Sequence, residues 1–306
     1  MRKIGILFSG QGSQYIGMGK DFYEAYPYLE DLYQKASQCL GYDIKDVVFK
    51  ENDLINNTLY TQPAIFVTSL AIYEVLKREY QIKPEVMSGF SLGEYSALVA
   101  SGVFKYHDGL NLIRERARMM EEAALNSQGM MAAVIGMEQE KLLHLCEEIS
   151  NEEDFVTIAN YNCPNQLVVS GTINAVKSLG PVALENGARR FIPLNVSGGF
   201  HTKLMDPASE GMYKLIKNTP SVAPQCEVVM NATANHLIIE QLSELMKRQI
   251  NSPVLFEQSI RKMMEEGINC FIEIGPGNVL SGFVRKVERQ FEVISIDKLT
   301  DLAKLV

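Results

Sequence analysis

The stretch that most limits what this chain can fold into lies between residues 85 and 102. A short segment, 85–89, runs into Gly89-Phe90-Ser91-Leu92-Gly93; a helix follows over Gly93–Ala100 and stops at Gly102. A strand passing straight into a helix through a Gly-x-Ser-x-Gly tract belongs in a parallel sheet with crossover helices. The glycines permit a turn sharp enough to lift the serine Oγ out at the top of the sheet. The helix behind it aims backbone N–H groups and its positive dipole end at the same spot, which suits a developing oxyanion. The same residues also fit a turn that merely caps a helix; the strand–turn–helix context favours the exposed serine.

The rest of the chain agrees with this architecture. Residues 3–9 are an apolar run ending in glycines, hence a buried strand and a tight loop. Thr61 is expected to cap a helix that carries Pro63 in its first turn and runs through Leu76. Asp108 is expected to start another that continues to about Leu125. The pattern then changes: strand 130–135, helix 138–149, strands 155–159 and 167–170, helix 173–186, strand 190–196. This β-α-β-β-α-β order is that of a ferredoxin-like unit. Alternation resumes with strands at 227–230 and Cys270–Ile274. The expected fold is therefore α/β: a parallel-sheet domain, 1–127 and 197–306, holding a small ferredoxin-like domain, 128–196.

A chain of 306 residues has room for one or two domains. With 46% apolar and 22% charged residues it reads as an ordinary globular protein. No apolar run is expected to span a bilayer. Met1-Arg2-Lys3 and the apolar residues after it resemble the start of a secretory signal, but Ser9-Gly10-Gln11-Gly12 breaks the stretch too early. The five cysteines (39, 146, 163, 226 and 270) are odd in number and lack a Cys-x-x-Cys pair, which argues against a disulfide framework or zinc site and points to the reducing cytoplasm. No metal and no resident cofactor are expected. A net charge of −8 argues against nucleic acid, so an acidic partner would need a local basic patch. Arg261, Lys262, Arg285, Lys286 and Arg289 form the densest basic set outside the small domain.

Gly10-Gln11-Gly12-Ser13-Gln14 fails as a nucleotide loop. A dinucleotide fingerprint needs glycine where Tyr15 stands; a P-loop needs glycine at Gln14 and Ser or Thr at Asp21. It remains a tight loop able to present a backbone N–H beside the serine. Four histidines could act as its base. His107 and His144 read as structural, His236 lies in a polar loop, and His201 follows the flexible turn Ser197-Gly198-Gly199-Phe200, making it the best candidate. Arg116 falls in the middle of an apolar helical face made by Leu112, Ile113, Ala117, Met119, Met120, Ala123 and Ala124. A buried guanidinium needs a partner. That partner is either an acid elsewhere in the chain or a substrate carboxylate, which a planar guanidinium binds through two parallel hydrogen bonds.

Taken together, these motifs resemble the malonyl-CoA:acyl-carrier-protein transacylases of fatty-acid synthesis and the acyltransferase domains of polyketide synthases. The likeness covers almost the whole chain. It runs through Gly10–Gln14, Gly89–Glu94, Arg116 with Met119-Met120, the tract 160–166, Gly199-Phe200-His201, the tract 249–254 and Glu273-Ile274-Gly275-Pro276-Gly277. The resemblance implies a hydrolase-like core with a ferredoxin-like insertion. It implies Ser91 as nucleophile and His201 as base. Backbone N–H groups of Gln11 and Leu92 would form the oxyanion hole, Arg116 would bind the malonyl carboxylate, and Gln249 would hold His201 through a carbonyl oxygen. Gln249, Phe200, Asn160 and Asn162 are expected on the substrate side, and Phe200 matches members that prefer malonyl. Malonyl would pass from coenzyme A to Ser91 and on to the phosphopantetheine thiol of acyl-carrier protein, in a monomeric enzyme. Many members carry His where this chain has Phe90. A serine esterase or thioesterase would share Ser91 and His201 but leave Arg116 unexplained.

Overall fold

The apolar run after Lys3 forms β1 (Ile4–Phe8), the central strand of a five-stranded parallel sheet in this computed structural model, which describes residues 2–305. Its neighbours are β2 (Val86–Gly89) and β8 (Cys270–Ile274), with β7 (Glu227–Val228) and β9 (Glu292–Ile296) at the edges, in the order β7-β2-β1-β8-β9. Every pairing is parallel. Strands β2 and β8 are buried along their whole length, as strands covered on both faces must be, so their sequences do not alternate; the polar exceptions, Ser88 and Glu273, are hydrogen-bonded to Val229 O and to the N–H groups of Leu280 and Ser281.

Three helices around this sheet place the site: α1 (Thr58–Glu79), α2 (Gly93–Ala100) and α3 (Tyr106–Ser127). The cap of α1 is Asn57, not Thr61: the Asn57 side chain accepts the Leu59 N–H. Thr61 lies a turn inside, where its hydroxyl donates to the carbonyls of Ile55 and Asn57, and Pro63 sits in the second turn. An asparagine with extended backbone reaches the N-terminal amides better than a threonine already in the helix. Helix α1 is also long and apolar enough to cross a membrane by length and composition, contrary to expectation, yet 83% of its most apolar window is buried inside the protein; it is a core helix. Helix α3 begins at Tyr106, two residues before the expected start at Asp108.

A second, antiparallel sheet is built from β3 (Gly129–Ile135), β4 (Val156–Cys163), β5 (Gln166–Thr172) and β6 (Arg190–Pro193), in the order β4-β5-β3-β6. Helices α4 (Gln139–Ile149) and α5 (Ile173–Glu185) pack on it through Leu142, Leu145, Cys146, Val176, Leu179 and Ala183 against Val134, Ile158 and Val169. Strand β6, an exposed edge, stops at Pro193 rather than 196: Leu194 N–H still reaches Met131 O, but the chain then turns as Val196 N–H bonds Leu194 O. Strand β7 likewise ends at Val228 instead of 230, the chain turning back as Met230 N–H bonds Asn235 O. Strand β4 is irregular between Ile158 and Asn160 and again between Tyr161 and Cys163. There, while still paired with β5, its other edge bridges Val254, with Tyr161 N–H and Val254 O 2.9 Å apart. That bridge brings Asn160 and Asn162 to the crevice beyond the carboxyl ends of β1 and β2, where open parallel sheets place their sites.

Candidate active site

Ser91 stands just past the end of β2, with φ at 53°, in the left-handed region that a non-glycine residue rarely adopts. The flanking glycines are required by proximity. A Cβ on Gly89 would lie 1.9 Å from the Gly93 carbonyl carbon, and one on Gly93 would lie 2.3 Å from Phe8 O. Side chains from distant elements hold the strained residue. Its N–H donates to Asn231 Oδ1 (2.9 Å), and its carbonyl accepts from Gln249 Nε2 (2.6 Å) and Glu94 N (3.1 Å). Its Oγ lies 2.8 Å from His201 Nε2 and 3.0 Å from Arg116 Nη2.

His201 also has a positive φ, 60°, in the turn after Gly198-Gly199-Phe200, and is 4% exposed. Its Nδ1 is 2.9 Å from the backbone oxygen of Gln249. A carbonyl can only accept, so Nδ1 carries the hydrogen and Nε2 turns a lone pair toward Ser91 Oγ. Burial, and then the Arg116 charge, push this imidazole down to about 3 against the Gln249 hydrogen bond, so the ring is neutral near pH 7. The other histidines are far from this role. His107 and His144 are exposed, and His236 bonds Glu266 and lies 3.2 Å from Glu227.

Arg116 is 1% exposed on the inner face of α3. Among the described residues no carboxylate lies within ion-pair distance of it. Its Nη1 donates to Gln62 Oε1 (2.7 Å), and Nη2 reaches Gln249 Oε1 (3.3 Å) as well as Ser91. The guanidinium carbon is 5.3 Å from the centre of the Tyr95 ring, and Nε has no hydrogen-bond partner. Burial lowers its pKa. Glu94, which feels its charge, is itself fully buried. Desolvation raises that carboxyl to about 8, outweighing the Asn231 N–H bond and Arg116, so at neutral pH the acid is mostly uncharged.

These groups open onto a cavity of about 510 Å³. Gln11, Phe90, Ser91, Arg116, Asn160, Asn162, Phe200 and His201 line it, and Asn162 Oδ1 is buried there without a partner. Gln249 does not border the cavity. Expected on the substrate side, it lies behind the serine and histidine, where its backbone oxygen and side chain hold both. Leu92 is fully buried and also stands back from the cavity. The backbone N–H groups of Gln11 and Leu92 have no partner among the described residues, whereas that of Ser91 is taken by Asn231. Phe90 stacks edge-on to Phe256 and tilts against Phe283, an apolar wall beside the serine. Such a site can transfer a proton from serine to a neutral imidazole and hold one anion against Arg116.

Three contributors escape a reading of the sequence. Gln62, Glu94 and Asn231 are all fully buried. Gln62 and Glu94 carried a signal, each being polar within an apolar helical run; Asn231 sits in a polar tract indistinguishable from a surface loop. The basic patch is less free than its sequence suggests. Arg261 pairs with Glu257 and Lys262 with Glu266, while Lys286 donates to Gln166 at the cavity's lip (2.6 Å). Among the described residues no three His, Cys, Asp or Glu side chains converge as a metal site would require.

The family model described as the acyl transferase domain matches residues 6–300. A malonyl CoA-acyl carrier protein transacylase of Bacillus subtilis is 41% identical over 298 residues, covering 97% of this chain and 94% of its own. The crystal structure of malonyl CoA-acyl carrier protein transacylase from Clostridium perfringens superposes with a TM-score of 0.94 at 37% identity, covering 99% of this chain and 95% of that one. A malonyl-transacylase solved in complex with its type II PKS acyl-carrier protein superposes at 0.95 with 32% identity, covering 99% and 98%. With a match of this extent, the chain belongs to the acyl transferase family that contains the malonyl CoA-acyl carrier protein transacylases.

Proposed function

We propose that this enzyme moves a malonyl group from malonyl-CoA to the phosphopantetheine thiol of an acyl-carrier protein, supplying fatty-acid synthesis, by way of an ester on Ser91. His201 Nε2 takes the Oγ proton as Oγ attacks the thioester carbonyl. The Gln11 and Leu92 N–H groups receive the oxyanion, and the coenzyme A sulfur leaves with the proton from His201. The carrier thiol then gives its proton to the same imidazole and attacks the serine ester, so Ser91 is regenerated. Throughout, the malonyl carboxylate pairs with Arg116, and Phe200, Asn160 and Asn162 border the acyl group and its arm. The observation that carries this reading is the buried Arg116, 3.0 Å from the serine with no carboxylate of its own. A serine esterase has no use for it.

Residues 128–196 are a ferredoxin-like unit inserted into a hydrolase-like core of 1–127 and 197–306, supported by the βαββαβ order and by a sheet whose first and third strands, β3 and β5, are central. Intact-mass analysis tests the chemistry. Malonyl-CoA alone should add one malonyl mass, absent in Ser91→Ala, and carrier protein should then discharge it. Free malonate released at full rate without carrier would mean a hydrolase. The family contains a protein solved with a polyketide carrier, so fatty-acid and polyketide carriers should be compared as acceptors.

A further inference from the structure

Glu94 is an acid buried behind the serine, and the acyl-transfer steps above give it nothing to do. It lies in the first turn of α2, 0% exposed, with Oε1 lacking any partner and Oε2 accepting the backbone N–H of Asn231 at 2.5 Å. A carboxyl buried with half its capacity unused is costly to keep. The residue it grips is not incidental. Asn231 is itself fully buried and uses every polar group it has. Its carbonyl accepts from Leu255 N–H (2.9 Å), its Nδ2 donates to Gly89 O (2.7 Å) and its Oδ1 accepts from Ser91 N–H. The last two bonds grasp the peptide units on either side of Phe90, the span that fixes the elbow. Ser91 has a positive φ, a conformation that persists only where its surroundings over-determine it.

We propose that Glu94 is a positioning residue for Ser91, acting through Asn231: the carboxyl anchors the Asn231 backbone so that the Asn231 side chain holds the Gly89 carbonyl and the Ser91 N–H in place. The proposal rests on the reading of Ser91 as the nucleophile. It explains why the acid stands three residues after the serine, where one turn of helix brings it behind the elbow, and why neither Glu94 nor Asn231 borders the cavity. It also explains how the Ser91 N–H is kept from the oxyanion position, leaving Gln11 and Leu92.

The test measures the single-turnover rate of malonyl transfer from malonyl-CoA to the protein by quenched intact-mass analysis, per folded molecule, across a series of variants. Glu94→Met keeps the length of the side chain and removes the acceptor. It should slow maximal acylation by about tenfold or more while changing the apparent affinity for malonyl-CoA less than about threefold, since small displacements of a nucleophile are costly. Glu94→Gln, which still presents an oxygen to Asn231, should recover most of the rate. In an Asn231→Ala background, Glu94→Met should cost nothing further, because the path to Ser91 is already cut. If Glu94→Met does not accumulate folded, Glu94→Asp, one methylene short of Asn231, takes its place with the same expectations. Acylation of Glu94→Met at the parent rate overturns the proposal. So does a Glu94→Gln as slow as Glu94→Met, or a full loss persisting in the Asn231→Ala background. A parent that takes up no malonyl defeats instead the assignment of Ser91.

Discussion

Replacing Arg116 separates a substrate-binding cation from a scaffold residue, and the structure supplies the terms. The guanidinium is buried, unpaired by any acid, and one of its donors is idle. Pairing with a malonyl carboxylate would satisfy it, and removing one partner of a buried charge pair costs about 3–5 kcal/mol. At about 1.4 kcal/mol per factor of ten, Arg116→Met lowers kcat/KM for malonyl-CoA by roughly a hundredfold to several thousandfold. The variant also loses the Nη2 bond to Ser91 Oγ, a net effect of about 1 kcal/mol. That loss falls on acetyl and malonyl donors alike and cancels in their ratio. The assay is therefore the ratio of malonyl to acetyl kcat/KM, measured beside a melting curve. It should collapse by about a hundredfold or more in Arg116→Met and be restored only in part in Arg116→Lys, since an ammonium cannot make the forked contact. The methionine fills the volume and removes a desolvated charge, so the variant should melt no lower than the parent. Both donors impaired equally in a destabilised protein would refute the reasoning and make Arg116 part of the scaffold.

Further expectations follow from the neighbouring groups. With His201 held near 3 in the free enzyme, kcat/KM for acylation should be flat from about pH 5 to 8. Arg116→Met should move its acid limb upward, because the guanidinium charge is the second cause of the depression; a limb near 6.5 in the parent would contradict the burial argument. Stability should fall in acid, because between an ordinary 6.5 and about 3 the unfolded chain binds a proton that folded His201 refuses. It should also fall toward alkaline pH, because from 4.5 to about 8 folded Glu94 keeps a proton that the unfolded chain releases; Glu94→Gln should flatten only that side of a melting-temperature profile, and an unaltered alkaline slope would sink the claim. Gln249→Glu should place a carboxylate where Oε1 now lies 3.3 Å from Arg116, giving an internal ion pair that raises KM for malonyl-CoA far more than for acetyl-CoA; equal effects would show that Arg116 does not receive the malonyl group.

What the sequence discloses and what it conceals divide along the range of the interactions. The elbow is local: strand, Gly-x-Ser-x-Gly and helix occupy neighbouring residues, and the glycines announce the crossing that their missing Cβ atoms permit. Arg116 was legible because helical periodicity put a cation on an apolar stripe, although whether its partner lay inside the chain was not. The clamp on the serine was invisible. The Ser91–Asn231 bond joins positions 140 residues apart, and the Glu94–Asn231 bond positions 137 apart. No period or propensity relates them. The cap of α1 is hidden for a subtler reason. Asn57, Thr58 and Thr61 are all competent capping types, and only the path of the chain entering the helix, extended at Asn57, selects among them.

The absence of an acid behind His201 is a consequence of the acyl group this site is built around. A Ser–His pair is usually oriented by a carboxylate, which also stabilises the imidazolium formed during transfer. Here the orienting group is a backbone carbonyl, and the residue that provides it, Gln249, touches Arg116 as well as Ser91. A carboxylate at this point would lie within reach of the guanidinium and occupy it, leaving nothing for an incoming anion. Glu94, buried behind the serine, is kept mostly neutral and is engaged with Asn231, while Glu273, which borders the cavity, is held by the N–H groups of Leu280 and Ser281. The site thus withholds negative charge from Arg116, and the charge missing from its resting state is the one a malonyl group brings. That arrival would also relieve the cation's pressure on His201, raising the basicity of the imidazole when an acyl group with a carboxylate is bound. A neutral acyl group offers no such relief, so selection for the carboxylate operates on binding and on the strength of the base together.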